Sequence, residues 1–240
     1  IVYHFRDWKV HGVTDLKKAI AESCNVFFYI VGGGYKDFKG LGAKKIAKYL
    51  HLFNWGRKTG IDLPGEKKGL VPTPEWKESY KKKPWYPGDT YHLSIGQGDI
   101  LVTPIQVATS FASIANGGIL YRPHLVKEII DSKSKKVVRE IKPEIIRKDF
   151  IDRKYLEEVR EGMRQAVTSP SGSSHMLNDL AVKVAAKTGT AQFGVKRKYH
   201  SWITVFAPYE NPEIVITVLV ENVPEGKIAA IPVAKEILKW

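Results

Sequence analysis

Apolar residues recur at helical spacing through the first part of the chain and alternate or run together in its last third. Leu16, Ile20, Phe27 and Ile30 lie close to one helix face, with Thr14 or Asp15 as cap and Gly32 to Gly34 as stop, which predicts a helix or helix pair over this stretch. A second amphipathic segment runs from about Leu41 to Phe53 and directs Ile46, Tyr49, Leu50 and Phe53 inward. Periodicity then lapses. From Asn54 to Thr90, Pro and Gly are frequent and only Thr73-Pro74-Glu75-Trp76 reads as a helix start; so long a connection in a compact domain is functional or held by a partner.

The pattern resumes at Thr103-Pro104, a Thr cap with Pro in the first turn, and stops at Gly117-Gly118. Leu120 to Ile130 and Lys135 to Ile141 read as a hairpin around Asp131-Ser132-Lys133-Ser134, and Asp152 caps a charged helix through Val167. Three strands follow near Val182 to Ala191, Ser201 to Ala207 and Ile214 to Val220. A closing helix from about Ile228 to Trp240 turns Ile231, Ala234, Ile237 and Leu238 toward that sheet. Helices precede most of the sheet, which predicts an α+β architecture with segregated layers and no internal repeat.

Composition narrows the class. With 240 residues, 43% of them hydrophobic, the chain can bury the core of one large domain or two small ones. Its single cysteine, Cys24, excludes an intrachain disulfide. No apolar run approaches the roughly 20 residues of a membrane span, and nothing at Ile1 has the charged start of a signal peptide, so any anchor is expected outside this sequence. The net charge of +13 favours anionic partners. Its lysines, however, are dispersed in Lys44-Lys45, Lys67-Lys68, Lys81 to Lys83, Lys133 to Lys136 and Arg197-Lys198, mostly beside Gly, Pro or Ser, as on solvated loops. With no zinc finger, RNP or P-loop pattern, nucleic acid is not an expected partner.

Candidate chemistry concentrates in two motifs. Lys187-Thr188-Gly189-Thr190 ends a short apolar run (Val182, Val184, Ala185, Ala186) that reads as a buried strand. A strand end with a cation, two hydroxyls and a glycine suits an anionic group and the close approach of another backbone. Lys187 can set the local field and hydrogen-bond a hydroxyl such as that of Ser23. Thr188 and Thr190 can donate to a terminal carboxylate, and Gly189 lets a peptide lie antiparallel to the strand. Far upstream, Ser23-Cys24-Asn25 supplies a Ser-x-Asn element, in which Asn25 offers both donor and acceptor to a peptide amide.

In that order the two motifs resemble those of penicillin-recognising enzymes, and the likeness extends over almost the whole chain. It takes in Asp15-Leu16 to Tyr29, Thr59-Gly60-Ile61-Asp62-Leu63-Pro64-Gly65-Glu66, Pro72 to Lys77, Lys83 to Thr90, Ser94-Ile95-Gly96-Gln97-Gly98, Thr103 to Gln106, Ala115 to Gly118, Lys187 to Ala191 and His200-Ser201-Trp202. The sequence is identified as similar to the transpeptidase domain of class B penicillin-binding proteins, with Trp76 and Pro84-Trp85-Tyr86 pointing to the elongation type, penicillin-binding protein 2. The resemblance implies an antiparallel sheet flanked by helices beside a helical subdomain, as in β-lactamases, with a cleft between them and a short loop at Ser23. It implies peptidoglycan D,D-transpeptidation through an acyl-serine during cell elongation, on stem peptides ending in D-Ala-D-Ala, with β-lactams acylating the same serine. Ser23 would relay protons, Asn25 would hold the substrate amide and the Thr190 N–H would enter the oxyanion hole. Implied partners are a membrane glycosyltransferase and a rod-shape scaffold protein, at the outer side of a bacterial inner membrane. No cofactor is implied.

One family element departs. The nucleophilic Ser-x-x-Lys should precede Ser23, whereas the two such strings here, Ser79 to Lys82 and Ser132 to Lys135, follow it in lysine-rich turns with no apolar helix to desolvate a lysine. The nucleophile, pedestal and anchor are therefore expected upstream of residue 1, and the 240-residue chain alone is expected to be inactive. Asp7, His11 and Cys24, with His4 nearby, are residue types that bind zinc, but an inert buried cysteine is the simpler expectation and no metal site is assigned. Gln97 is expected to shape a turn and His200 to support a sheet edge. Two other classes share parts of the pattern. A penicillin-recognising sensor or hydrolase should lack the Pro-Trp-rich stretch from Pro72 to Thr90, and a non-catalytic cell-wall-peptide scaffold would have lost the serine.

Overall fold

Asp15 starts the first helix, α1 (Leu16–Glu22), by accepting the Lys18 N–H at 2.8 Å. The computed structural model describes residues 3–194 and 198–239. Arg197 and Trp240, which the sequence placed in a basic loop and a terminal helix, lie outside them. After α1 the run breaks. Ser23 adopts a left-handed conformation (φ 57°, ψ 48°) and α2 (Asn25–Gly33) begins after Cys24. Apolar periodicity passes over one left-handed residue without a mark; the loop that the family resemblance implied is the arrangement found. Leu16, expected inward, is exposed.

The helical subdomain gathers α2, α3 (Gly42–Leu52) and α5 (Pro87–Ser94). A Cβ at Gly32 of α2 would collide with the Ser94 side chain, so this glycine sets how closely α2 approaches α5. In α3 the deeply buried residues are Ala43 and Ala47, while Tyr49, expected inward, is 45% exposed. Small side chains bring that helix close, and the larger ones fall to its flanks. Between α3 and α5, α4 (Pro74–Lys81) starts where expected, with Thr73 Oγ1 accepting the Trp76 N–H at 3.2 Å. Helix α5 was not signalled, since it carries no clear apolar stripe; Asp89 defines its start by accepting the Tyr86 N–H at 2.7 Å. Helix α6 (Pro104–Ala115) has a full capping box, Gln106 N–H to Thr103 Oγ1 and Thr103 N–H to Gln106 Oε1. The buried Gln106 also donates through Nε2 to the Arg57 and Lys68 carbonyls, at 2.7 and 2.9 Å, and so pins the long irregular stretch.

The expected hairpin is more finely divided. Strands β2 (Glu128–Ile130) and β3 (Val137–Glu140) pair around the Asp131 turn, but β1 (Leu120–Arg122) pairs with β4 (Glu144–Arg147), forming a separate outer ribbon. Asp152 caps α7 (Arg153–Thr168) through the Lys154 N–H at 3.0 Å.

The main sheet is antiparallel in the order β5 (Ala185–Phe193), β6 (Lys198–Ala207), β7 (Ile214–Pro224). Side chains alternate between two buried faces. Ala185 and Phe206, paired in register, join Ile20, Ala115 and Met163 beneath α1, α6 and α7. The next pair, Ala186 and Val205, faces the opposite way with Val184 and Ile203, against Ala230, Ile231 and Ala234 of α8 (Ala230–Ile237). Burial on both sides explains the unbroken apolar run into β5. Ile237 of α8, expected inward, is exposed. At Gly162 of α7 a Cβ would stand 2.9 Å from Ile20 Cβ, so glycine lets α7 close onto α1. Strand β5 has β6 as its sheet neighbour and, among the described residues, no strand on its other side.

Candidate active site

The break at Ser23 carries one motif to the other. Lys187 Nζ donates to Ser23 Oγ at 2.9 Å and to the Thr188 carbonyl at 2.7 Å. Residues 164 apart in sequence thus form one unit, built where the end of α1 meets the face of β5. An ammonium has donors only, so Ser23 Oγ accepts and its own hydrogen remains free to be given elsewhere. Burial strips water from the Lys187 ammonium and lowers its pKa from 10.5 to about 8, although the residue as a whole keeps some exposed surface. No carboxylate pairs with it among the described residues.

The remaining motif residues divide by strand alternation. Lys187 and Gly189 share one face of β5; Thr188 and Thr190 share the other. A ligand reached by both sets must therefore lie along the strand's edge. Gly189 sits opposite Trp202 in register, and a Cβ there would stand 3.3 Å from Trp202 Cβ, so glycine also serves the packing of the sheet. Thr190 is exposed. Asn25 opens α2 one residue past Cys24, and among the described residues no group hydrogen-bonds its carboxamide. Ser79 Oγ donates to the Trp76 carbonyl on an exposed helix, and Ser132 and Lys135 lie on an exposed turn, so neither Ser-x-x-Lys string joins this site.

An acid-rich network holds the Ser23 loop. Asp7 Oδ2 accepts the Val26 N–H at 2.9 Å and the Cys24 thiol at 3.3 Å, which caps α2 from outside its own helix. Trp8 Nε1 donates to the Ser23 carbonyl at 3.1 Å. Burial pushes the Asp7 carboxyl up, but the Val26, Trp8, Cys24 and Asn25 hydrogen bonds outweigh it and hold the group below the usual carboxylate range. Glu22 faces the same contest. Burial raises it, while bonds from Ser171, His11 and Lys9 bring it down to about 2. The sequence singled out Asp7, His11 and Cys24 only as residue types that bind zinc; the parts of Trp8, Glu22 and Ser171, and the hold of the whole on the Ser23 loop, were not signalled, because the members come from separate segments.

The family model of the penicillin binding protein transpeptidase domain matches residues 2–239. The chain belongs to the penicillin-binding protein transpeptidase family. It is 34% identical to the peptidoglycan D,D-transpeptidase MrdA of Haemophilus influenzae, over 98% of this chain and 38% of that protein. The solved complex of penicillin-binding protein 2 with MreC from Helicobacter pylori superposes with a TM-score of 0.80 at 35% identity, covering 100% of this chain and 42% of that one. Penicillin-binding protein 2 of Pseudomonas aeruginosa in complex with WCK 5153 gives 0.77 at 31% identity, over 98% of this chain and 50% of that one. The chain thus spans about two fifths of the length of the curated relatives it matches, 38% in the case of MrdA.

In this transpeptidase domain the three residues of zinc-binding type near the Ser23 loop come together. Ligand atoms of Asp7, His11 and Cys24 all lie within 4.8 Å of one another. Ionised Glu22 accepts from His11 Nδ1 at 2.8 Å, so that nitrogen carries the proton and Nε2 is the ring's other donor or lone pair. Nε2 is buried 3.3 Å from Asp7 Oδ1 yet without a hydrogen-bond partner. A thiol, an imidazole and a carboxylate with one orphaned nitrogen fit three ligands of a zinc site; four is the structural number. Burial raises the Cys24 pKa, so without a cation the thiol stays protonated and donates to Asp7.

Lys187 has a consequence for stability. Its folded-state pKa of about 8 lies below the ordinary 10.5, so between these values the unfolded chain binds more protons than the folded one. The cost of the buried charge is fully present below pH 8 and disappears as pH rises to 10.5. In urea titrations the parent should gain on Lys187→Met across this window, with a slope of up to about 1.4 kcal/mol per pH unit. A pH-independent difference between the two would exclude a desolvated ammonium.

Proposed function

We propose that this chain is the C-terminal part of the transpeptidase domain of an elongation-type peptidoglycan D,D-transpeptidase, with its nucleophilic Ser-x-x-Lys in a segment upstream of residue 1. The observation that carries this is the Lys187–Ser23 contact beside the open edge of β5. The upstream serine gives its proton to the lysine of the same Ser-x-x-Lys and attacks the carbonyl between the two terminal D-alanines of a stem peptide, forming an acyl-serine as the C–N bond breaks and D-alanine is expelled. The leaving nitrogen needs a proton. Ser23 gives it from the hydroxyl whose oxygen is held by Lys187 Nζ, and Lys187, with a pKa of about 8, restores it. Thr188 and Thr190 hold the terminal carboxylate, Asn25 the peptide amide, and the Thr190 N–H the developing oxyanion. An amine on a neighbouring strand then accepts the acyl group. β-Lactams, which place a carboxylate and a strained amide in the same positions, acylate the same serine.

Support for partners comes from the relatives: one is solved with MreC, and another, 31% identical, in a peptidoglycan synthase complex that couples polymerization to crosslinking. We place this protein likewise with a rod-shape scaffold and a membrane glycosyltransferase, its catalytic domain outside the inner membrane. None of the helices among the described residues is long and apolar enough to cross a membrane.

Labelling by a fluorescent penicillin tests the assignment. The 240-residue chain should take no covalent label, whereas the protein extended upstream should label at a serine ahead of Ser23. Labelling of the short chain at Ser79, Ser132 or any other serine would overturn it.

A further inference from the structure

Gln97 stands in the loop between α5 and α6, flanked by Gly96 (φ 72°) and Gly98 (φ 83°). A Cβ at Gly96 would meet nothing within 4 Å, so glycine there answers the left-handed backbone alone. The loop is anchored. The Gln97 N–H donates to the His92 carbonyl at 2.9 Å, and Asp99 pairs with Lys81 of α4. From this fixed base Gln97 Nε2 crosses to the sheet and donates to the Thr190 carbonyl at 2.8 Å. Only the NH₂ end of a carboxamide can meet a carbonyl, which settles its orientation.

A Thr190 carbonyl that a side chain from outside the sheet can reach is one turned away from β6, toward the open edge. Thr188, two residues earlier, presents its carbonyl to the same edge, and there Lys187 Nζ donates at 2.7 Å. Both edge acceptors nearest the Ser23–Lys187 pair are thus satisfied by side-chain donors. A peptide that adds to this edge antiparallel brings a backbone N–H to one of these carbonyls and competes there with the resident side-chain donor.

We propose that Gln97 is a positioning and specificity residue that holds the Thr190 carbonyl until the amide N–H of an acyl-donor ligand displaces it, an inference that rests on the transpeptidase function proposed above. The exchange replaces one N–H···O bond by another, so a ligand with a correctly placed amide enters at small cost. A ligand without that N–H gains nothing by displacing Gln97 and leaves it in place. Gln97 thereby ties recognition to the peptide character of the substrate, and it does so from the loop that follows α5.

The test compares two penams on the full-length protein: benzylpenicillin, whose 6-acylamido group carries an N–H, and a penam with no 6-acylamido group. Gln97→Met keeps side-chain length and removes the donor. It should raise the second-order acylation rate of benzylpenicillin about 2- to 10-fold, the worth of one hydrogen bond no longer displaced, and leave the other penam unchanged. Gln97→Asn, one methylene too short to span the gap, should do the same, which separates the effect from any repacking by Met. Equal changes for both penams would reduce Gln97 to a loop anchor, and a slower reaction of benzylpenicillin alone would make it a direct ligand contact; either result overturns the proposal. A parent protein that neither penam acylates would instead refute the transpeptidase assignment and remove the basis for this inference with it.

Discussion

Ser23→Ala in the full-length protein should slow acylation by a penicillin about 10²- to 10⁴-fold, the range of a lost general acid–base group, while changing initial binding no more than a few-fold. The expectation follows from the direction of one hydrogen bond. Lys187 Nζ donates to Ser23 Oγ at 2.9 Å, so the serine hydrogen is left to move toward the leaving nitrogen. That interaction strengthens only as the C–N bond breaks and is therefore a transition-state contact. Fold should survive the change, because alanine and serine meet the same constraint at φ 57°, where the Cβ already opposes the backbone. Stopped-flow measurement over a range of penicillin concentrations separates the acylation constant from the dissociation constant. Equal acylation constants for variant and parent would remove Ser23 from the mechanism, whatever the contact in the structure.

Thr190→Val should cost roughly 10- to 100-fold in acylation efficiency. A hydroxyl bound to a carboxylate in a partly desolvated cleft is worth about 1.5 to 3 kcal/mol, at about 1.4 kcal/mol per decade. Valine keeps the β-branched shape, the strand and the backbone N–H that would enter the oxyanion hole. It also keeps the carbonyl to which Gln97 donates, so the substitution isolates the hydroxyl from the edge's other functions. The loss should shrink for a substrate whose terminal carboxylate is amidated, since the proposed partner is then gone. An equal penalty on the amidated and free-acid substrates would take the carboxylate away from Thr190.

Much of this protein is encoded locally. Thr103-Pro104 with Gln106 carries its helix start within four residues, as do Asp152 for α7 and Thr73-Pro74 for α4, because a cap needs only side chains that reach their own first turn. The apolar run ending at Ala186 is legible as a strand because β5 is buried on both faces, and the closing helix because Ile231 and Ala234 repeat at helical spacing. Lys187 to Thr190 and Ser23 to Asn25, in order, identify the family, since each is a short segment whose chemistry depends on immediate neighbours.

Other features wait on contacts between distant segments. No local rule breaks a helix at Ser23; the break is held by Asp7, which takes the first N–H groups of α2, and by Trp8, which takes the Ser23 carbonyl. Strand β1 resembles the first half of a hairpin, yet pairs with β4, because antiparallel partners are chosen by register and packing over more than twenty residues. Tyr49 and Ile237 show the limit of periodicity, which locates an apolar stripe but cannot tell which side chains on it a neighbouring element covers. A glycine-flanked Gln97 reads as a turn, and its bond to Thr190 exists only once the loop after α5 is brought beside β5, 93 residues further along the chain. Lys187 is the clearest case. Its identity is written in the sequence, but the fall of its pKa to about 8 comes from burial beside Ser23, and desolvation is a property of what surrounds a charge.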